Sequence, residues 1–343
     1  MTLNPRKRAG TSLAALIAAM ALAVGLAACG DDSDGGPLTV YSGREEEYAA
    51  PVFDLYEQET GNEVEVRYGD SAELSATILE EGDNSPADVF FSQDAGALGA
   101  LEREDRLSEL SEETLVKVDD RFRSADGRWV GTSGRARVIA YDSRELSVSD
   151  LPASVFGLTD REWQGRVGWA PTNASFQAFV TAMRLTKGEE ATRRWLEQME
   201  ANGVESFGGN SEIRDAIAAG ELDVGLINHY YVAQAQEEEG AGYPVEVYFP
   251  KRGDVGALIN VAGAGVLSSS DQQGKAEDLV AFLLSTKAQR YFANETKEYP
   301  LIDAVAADPR VVPLNQIQHP RIDLSNLDDL QGTLVVLRES GAL

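Results

Sequence analysis

The sequence predicts an α/β fold made of two lobes, each a mixed and mostly parallel sheet flanked by helices. Three observations carry that expectation. Short β-prone runs alternate with amphipathic helical stretches from Leu38 to Leu101, as strands covered by helices do. The same alternation starts again after Tyr141 and continues to Glu239. About 305 residues follow the N-terminal segment, enough for two domains in one chain.

Leu38-Thr-Val-Tyr41 reads as the first strand and stops at Ser42-Gly43. The helical stretch after it carries Tyr48, Val52, Leu55 and Tyr56 and ends at Gly61. Glu63 to Tyr68 alternates as a strand. Ser71 is expected to cap the next helix, with Leu74, Ile78 and Leu79 on one face and Gly82 as its stop. Ala87 to Phe91 is a third strand, followed by a helix from Asp94 through Leu98 and Leu101. After the strand Arg137 to Tyr141 the second unit begins, in which Arg166 to Trp169 is a strand leading into a helix from Ala174 to Leu185. Ser211 to Ala219 is a helix closed by Gly220, and Asp223 to Ile227 is a strand feeding the segment His229 to Glu239. Leu258 to Leu267 returns to strand character before an apolar-faced helix from Ala276 to Phe292.

The first 28 residues are of another kind. Arg6, Lys7 and Arg8 precede an apolar stretch from Leu13 to Ala28, and no acidic residue occurs before Asp31. That layout is a secretory signal, and its apolar part is short for a spanning helix. It ends in Leu26-Ala27-Ala28-Cys29, whose cysteine is the only one in the chain and so makes no intramolecular disulfide. The pattern resembles the lipobox of bacterial lipoproteins. Residues 1–28 are therefore expected to be a cleaved signal peptide and Cys29 a lipidated N-terminus; an uncleaved anchor helix with an incidental cysteine is the alternative. Residues 29–37 then form the lipidated Cys and a flexible tether, because Gly30 to Pro37 offers no apolar residue to bury.

The net charge is −27, and loss of the three cations of the signal leaves −30. Such a surface repels nucleic acid and anionic lipid headgroups. With two histidines, His229 and His319, an imidazole-rich zinc site is disfavoured. No Gly-x-Ser-x-Gly elbow, His-Glu-x-x-His or phosphate-cradling glycine loop appears, so no enzyme is expected.

Two α/β units in one chain are expected to close on a ligand by hinge motion. Ligands of open parallel sheets lie beyond the carboxyl ends of strands, where helices begin. Five polar junctions meet that rule: Ser42 to Glu46, Ser92 to Asp94, Thr172 to Ser175, Gly209 to Ser211, and Asn228 to Tyr231. At the last of them Tyr230 and Tyr231 stand side by side. A phenol is ordinarily neutral, with a pKa near ~10. A bound trivalent cation stabilises the phenolate, a hard anionic donor suited to Fe³⁺. Read alone, the pair also fits two aromatics packed at a domain edge.

The surroundings of that pair resemble the bacterial ferric-ion-binding proteins, receptors of ferric-iron ABC importers. The resemblance covers nearly the whole mature chain. It rests on Leu38-Thr-Val-Tyr-Ser-Gly-Arg44, Ser85-Pro-Ala-Asp-Val-Phe-Phe-Ser-Gln93, Ser133-Gly-Arg-Ala-Arg137, Pro171-Thr172, Leu226-Ile-Asn-His-Tyr-Tyr231 and Glu298-Tyr-Pro-Leu301, in this order. It implies a two-lobed, periplasmic-binding-protein-like fold joined by two hinge strands, with residues 38–137 and 263–312 in one lobe and 138–262 and 313–343 in the other. It also implies Fe³⁺ held in the cleft by Tyr230 and Tyr231, with a synergistic phosphate or carbonate completing the coordination. The anion pocket maps onto Asn173, Ala174 and Ser175 at one helix start, with Asn210 and Asn228 across from it. Free N–H groups at a helix start bind anions, although for Asn173 and Asn210 capping alone is an equal reading.

Two positions depart from the family pattern. Glu45 stands where many relatives have a histidine ligand, and Gln93 where they have a glutamate. Glu45 remains a hard donor, or else an acidic residue favoured in a first helical turn; Gln93 is a weaker, neutral ligand. Phe176 occupies the place of a third tyrosine seen in some relatives. Arg135 and Arg137 are expected chiefly in structural salt bridges, with anion neutralisation as the other role. His229 is expected to lie behind the site or face solvent. The resulting expectation is a monomeric, lipid-anchored receptor on the outer face of the cytoplasmic membrane, delivering Fe³⁺ to an ABC permease. A same-fold receptor for a phosphonate, polyamine or thiamine-like solute, a secreted hydrolase, and a sensory receptor for a membrane kinase are the alternatives.

Overall fold

The computed structural model describes residues 36–240 and 242–343; Cys29, the expected signal peptide and most of the expected tether lie outside the described residues. In chain order, β1 (Leu38–Ser42) leads to α1 (Glu46–Thr60), β2 (Val64–Tyr68) to α2 (Ser71–Glu81), and β3 (Val89–Ser92) to α3 (Ala95–Arg103). A short α4 (Glu112–Leu115) precedes β4 (Val130–Asp142). β5 (Val167–Trp169) feeds α5 (Ala174–Lys187) and α6 (Glu189–Ala201), β6 (Glu205–Ser206) feeds α7 (Asn210–Ala219), and β7 (Val224–Asn228) feeds α8 (Tyr230–Glu239). Then come β8 (Val245–Tyr248), β9 (Ile259–Val266), α9 (Gln273–Leu283), α10 (Thr286–Asn294), β10 (Tyr299–Pro300) and α11 (Leu330–Glu339). Among the described residues no helix is long and apolar enough to cross a membrane.

The two-lobed arrangement is built around β4. Its first half pairs antiparallel with β9, from Val130↔Ala264 to Ala136↔Ile259, and with β10 at Gly134↔Tyr299. Its second half pairs antiparallel with β7, beginning at Arg137↔Asn228, and with β8 at Ile139↔Tyr248. The strand therefore changes sheets between Ala136 and Arg137. All thirteen of its residues are buried, which suits a strand covered on both faces. On one side, β1 pairs in parallel with β2 and β3, and β3 meets β9 antiparallel. On the other, β5 pairs in parallel with β6 and β7. Each sheet is thus mixed, parallel at its outer strands and antiparallel where β4 and β9 run.

The five junctions singled out from sequence all fall between a strand and a helix: β1–α1, β3–α3, β5–α5, β6–α7 and β7–α8. Other expectations need correcting. Asp70, not Ser71, caps α2; its carboxylate accepts the Ala72 and Glu73 N–H groups at 2.8 and 3.4 Å. Ser71 is buried instead, and its hydroxyl accepts the Gln93 N–H at 2.9 Å, tying two junctions together. The single helix expected from Ala276 to Phe292 is two, because Ser285 Oγ accepts the Ala288 N–H at 3.2 Å and starts a new helix. Helix α6 was not anticipated, nor were the short strands β8 and β10.

Candidate metal-binding site

The apolar run of β7 is fully buried and ends at Asn228, so the chain emerges from the sheet where α8 begins. Tyr230 is the first residue of that helix and is 4 % exposed; Tyr231 is half-buried. Their rings stack, with centroids 4.4 Å apart and planes 28° from parallel. Burial pushes the Tyr231 phenol well above the usual range, reinforced by Tyr230 and by the charges of Glu45 and Tyr48. Glu45 and Tyr48 belong to the β1–α1 junction and the first turns of α1, so that junction faces the tyrosines. Desolvation by the surrounding chain and the neighbouring Glu47 raise the carboxyl of the solvent-exposed Glu45, while Arg44 and Arg135 oppose the rise. Tyr48 is raised likewise, by burial and then by Tyr230, Glu47 and Glu45. Tyr48 was read from sequence only as an apolar helical residue. Its spacing of three from Glu45 was the available signal, since residues three apart share a helix face.

Arg137 organises the second half of the site. It is 2 % exposed. Its Nη1 donates toward Ser175 Oγ at 3.2 Å, Asn210 Oδ1 at 3.2 Å and Asn228 Oδ1 at 3.3 Å, and its Nη2 donates to the Leu226 carbonyl at 2.7 Å. Asn173 caps α5 by accepting the Ser175 N–H at 3.1 Å, and it also accepts the Ser175 hydroxyl. Asn210 is the first residue of α7 rather than its cap. Its side-chain oxygen instead takes Arg137 and the Asn228 N–H at 3.2 Å. Ala174, at the first position of α5, has no carbonyl of its own helix for its N–H. The structure thus gathers Ser175, Asn210 and Asn228 around one guanidinium, with Asn173 one hydrogen bond further out through Ser175 and Ala174 beside it in sequence.

That guanidinium has no carboxylate partner, which corrects the expected salt bridge. Among the described residues neither Arg135 nor Arg137 lies in an ion pair. The register explains this. Both sit on the strand where it changes sheets, among neutral amides, hydroxyls and rings rather than surface acids. Arg137 lies over the rings of Phe176 and Phe179 at 5.5 and 5.7 Å, so Phe176 is a core residue carrying the cation. Burial pulls the Arg137 pKa down to about 9, while both tyrosines would raise it if ionised. It is still a cation at neutral pH, and a buried charge without a counter-ion is costly. The Nε of Arg137 and the Nε and Nη2 of Arg135 are buried without partners. Both cations therefore retain unused capacity for negative charge at this place.

Gln93 is half-buried at the β3–α3 junction, and its side chain makes no hydrogen bond to the tyrosines or Glu45. His229 does not face solvent. It is 2 % exposed and stacks on Tyr299 at 4.3 Å and 13°. Its Nδ1 accepts the Ala136 N–H at 3.1 Å and its Nε2–H donates to the Lys297 carbonyl at 3.1 Å, a pairing only the neutral ring can make. Burial lowers its pKa to about 4. Among the described residues no three His, Cys, Asp or Glu side chains gather as a metal-holding group.

Residues 84–324 match the family described as bacterial extracellular solute-binding proteins, and the chain belongs to that family, with the ferric-iron-binding proteins among its relatives. It is 32 % identical over 334 residues to the Fe(3+)-binding periplasmic protein of Serratia marcescens, covering 96 % of this chain and 97 % of that one. It is 34 % identical over 307 residues to the major ferric iron-binding protein of Neisseria meningitidis serogroup A, covering 89 % and 92 %. Among solved structures, iron-bound HitA from Pseudomonas aeruginosa superposes with a TM-score of 0.84 at 32 % identity, over 90 % of this chain and all of that one. The first two relatives are named for ferric-iron binding, and the third was solved with iron bound.

Proposed function

We propose that this chain is the extracytoplasmic receptor of an ABC importer, binding Fe³⁺ through Tyr230 and Tyr231 as phenolates with a synergistic anion beside them. The observation that carries the reading is the stacked tyrosine pair, Tyr230 buried and Tyr231 half-buried, with Glu45 and the cation Arg137 both acting electrostatically on it. Two phenolates and a carboxylate would balance a trivalent ion, and Arg137 would hold an anion with Asn173, Ala174, Ser175, Asn210 and Asn228. Phosphate and carbonate both suit that set. Gln93 would join as a donor on closure of lobes 38–137 with 263–312 and 138–262 with 313–343. Cys29 would carry the lipid that keeps a monomeric receptor at the outer face of the membrane, close to its permease.

The relatives' ferric-iron binding supports this reading. Added Fe³⁺ with phosphate or bicarbonate is expected to produce a visible tyrosinate charge-transfer band. Tyr230→Phe and Tyr231→Phe should each abolish or strongly shift it. A wild-type protein that stays colourless under these conditions would sink the iron reading. Arg137 would equally suit an anionic organic solute, and that alternative predicts ligand binding insensitive to both tyrosine substitutions.

A further inference from the structure

The three residues before β10 are fastened in two directions. Toward α8, the Thr296 carbonyl accepts the Gln234 amide at 3.2 Å and the Lys297 carbonyl accepts His229 at 3.1 Å. Lys297 Nζ pairs with Glu237 at 2.7 Å. His229 directly precedes α8 and Glu237 lies in its last turns, so the segment is bonded along the whole helix that begins with the tyrosine pair. Toward α1, the buried Glu298 carboxylate receives Arg44 through Nη1 at 3.1 Å and Nη2 at 3.0 Å, along with the hydroxyls of Ser133 at 3.1 Å and Thr296 at 3.0 Å. Arg44 directly precedes Glu45. Lys297, between the two directions, has φ 59°, a left-handed conformation that a lysine rarely adopts. Such conformations persist where surrounding contacts over-determine them, and they concentrate at functional sites.

Buried ion pairs are a weak source of stability but can fix geometry. The path from Glu45 through Arg44, Glu298, Lys297 and His229 to Tyr230 is continuous, in covalent and hydrogen bonds. Glu45 and the tyrosines stand at opposite ends of that path, and the Glu45 charge acts on the Tyr231 phenol. We infer that Thr296–Glu298 is a positioning clip that aligns Glu45 with the tyrosine pair when the lobes close on the metal. This rests on the reading of those three residues as iron donors.

The test is Fe³⁺ titration with phosphate present, followed by the charge-transfer band, in wild type, Glu298→Gln, Glu45→Gln and the double variant, with thermal melts of each apo protein. Loss of a group that orients a metal ligand typically weakens metal binding about 10- to 100-fold, and Glu298→Gln is expected to do so here. In the Glu45→Gln background that loss should largely vanish, since a misaligned donor and a missing one cost the same. Equal losses in both backgrounds, or no loss in a folded Glu298→Gln protein, overturn the clip. If Glu298→Gln does not fold, Gln234→Ala removes one bond between α8 and the clip. It should weaken iron about 2- to 10-fold, the equivalent of one ordinary hydrogen bond, and an unchanged affinity overturns the proposal. A colourless wild type overturns the iron reading and the clip together; a coloured wild type with multiplicative losses overturns the clip alone.

Discussion

His229 shows how one side chain can be held in one protonation state by its surroundings. A backbone N–H points at Nδ1 and a carbonyl at Nε2, so the native fold accommodates only the neutral ring. Its pKa of about 4 lies below the unfolded value near ~6.5. Between those values the unfolded chain binds a proton that the native chain refuses, so stability rises with pH across this window. The apo protein should therefore lose stability as pH falls from about 6.5 toward about 4, and His229→Gln should show a flatter profile in urea unfolding. Matching profiles for the two proteins would remove His229 from the account. The tyrosine pair was legible as a motif beside it, but the role of His229 was not. Its carbonyl partner on Lys297 is 68 positions away, beyond any local pattern.

At the scale of elements, local rules were read well and contacts between elements poorly. Strand–helix junctions were found because apolar runs and capping residues are local properties. The packing of α3 against the turn Leu324–Asp328 was invisible. That contact requires Gly96 and Gly99, where an added Cβ would fall 2.4 Å from the Leu327 carbonyl oxygen and 2.3 Å from that of Ser325. Glu102 and Arg103 of α3 hold the same turn through Ser325 and Asp328. Overpacking of this kind costs about 1–3 kcal/mol, and Gly99→Ala should lower unfolding stability by that order. Gly274→Ala is the control, since a Cβ there meets nothing and alanine favours the helix. Equal effects from the two substitutions would mean that the close approach is not what constrains Gly99.

At the scale of the molecule, the site joins parts linked through the shared strand β4 and through Thr296–Glu298. Burial chiefly holds the Tyr231 phenol neutral, so the proposed ligation through it would displace its proton as Fe³⁺ binds. Iron uptake in weak buffer should release about two protons per ion from the tyrosine pair, and affinity should fall as pH falls. Colour development without proton release would exclude phenolate ligation from neutral tyrosines. By itself the sequence determined the alternation of strands and helices, the polar junctions at strand ends and the family to which the tyrosine motif points, because periodicity, capping and motif order are written along the chain. Only the tertiary structure decided that Arg137 gathers Ser175, Asn210 and Asn228 with no carboxylate partner among the described residues, and that Arg44 pairs with Glu298 across 254 positions. The physical reason is that burial and electrostatic pairing depend on distance in space, and β4 brings together residues whose separation in sequence carries no signal of it.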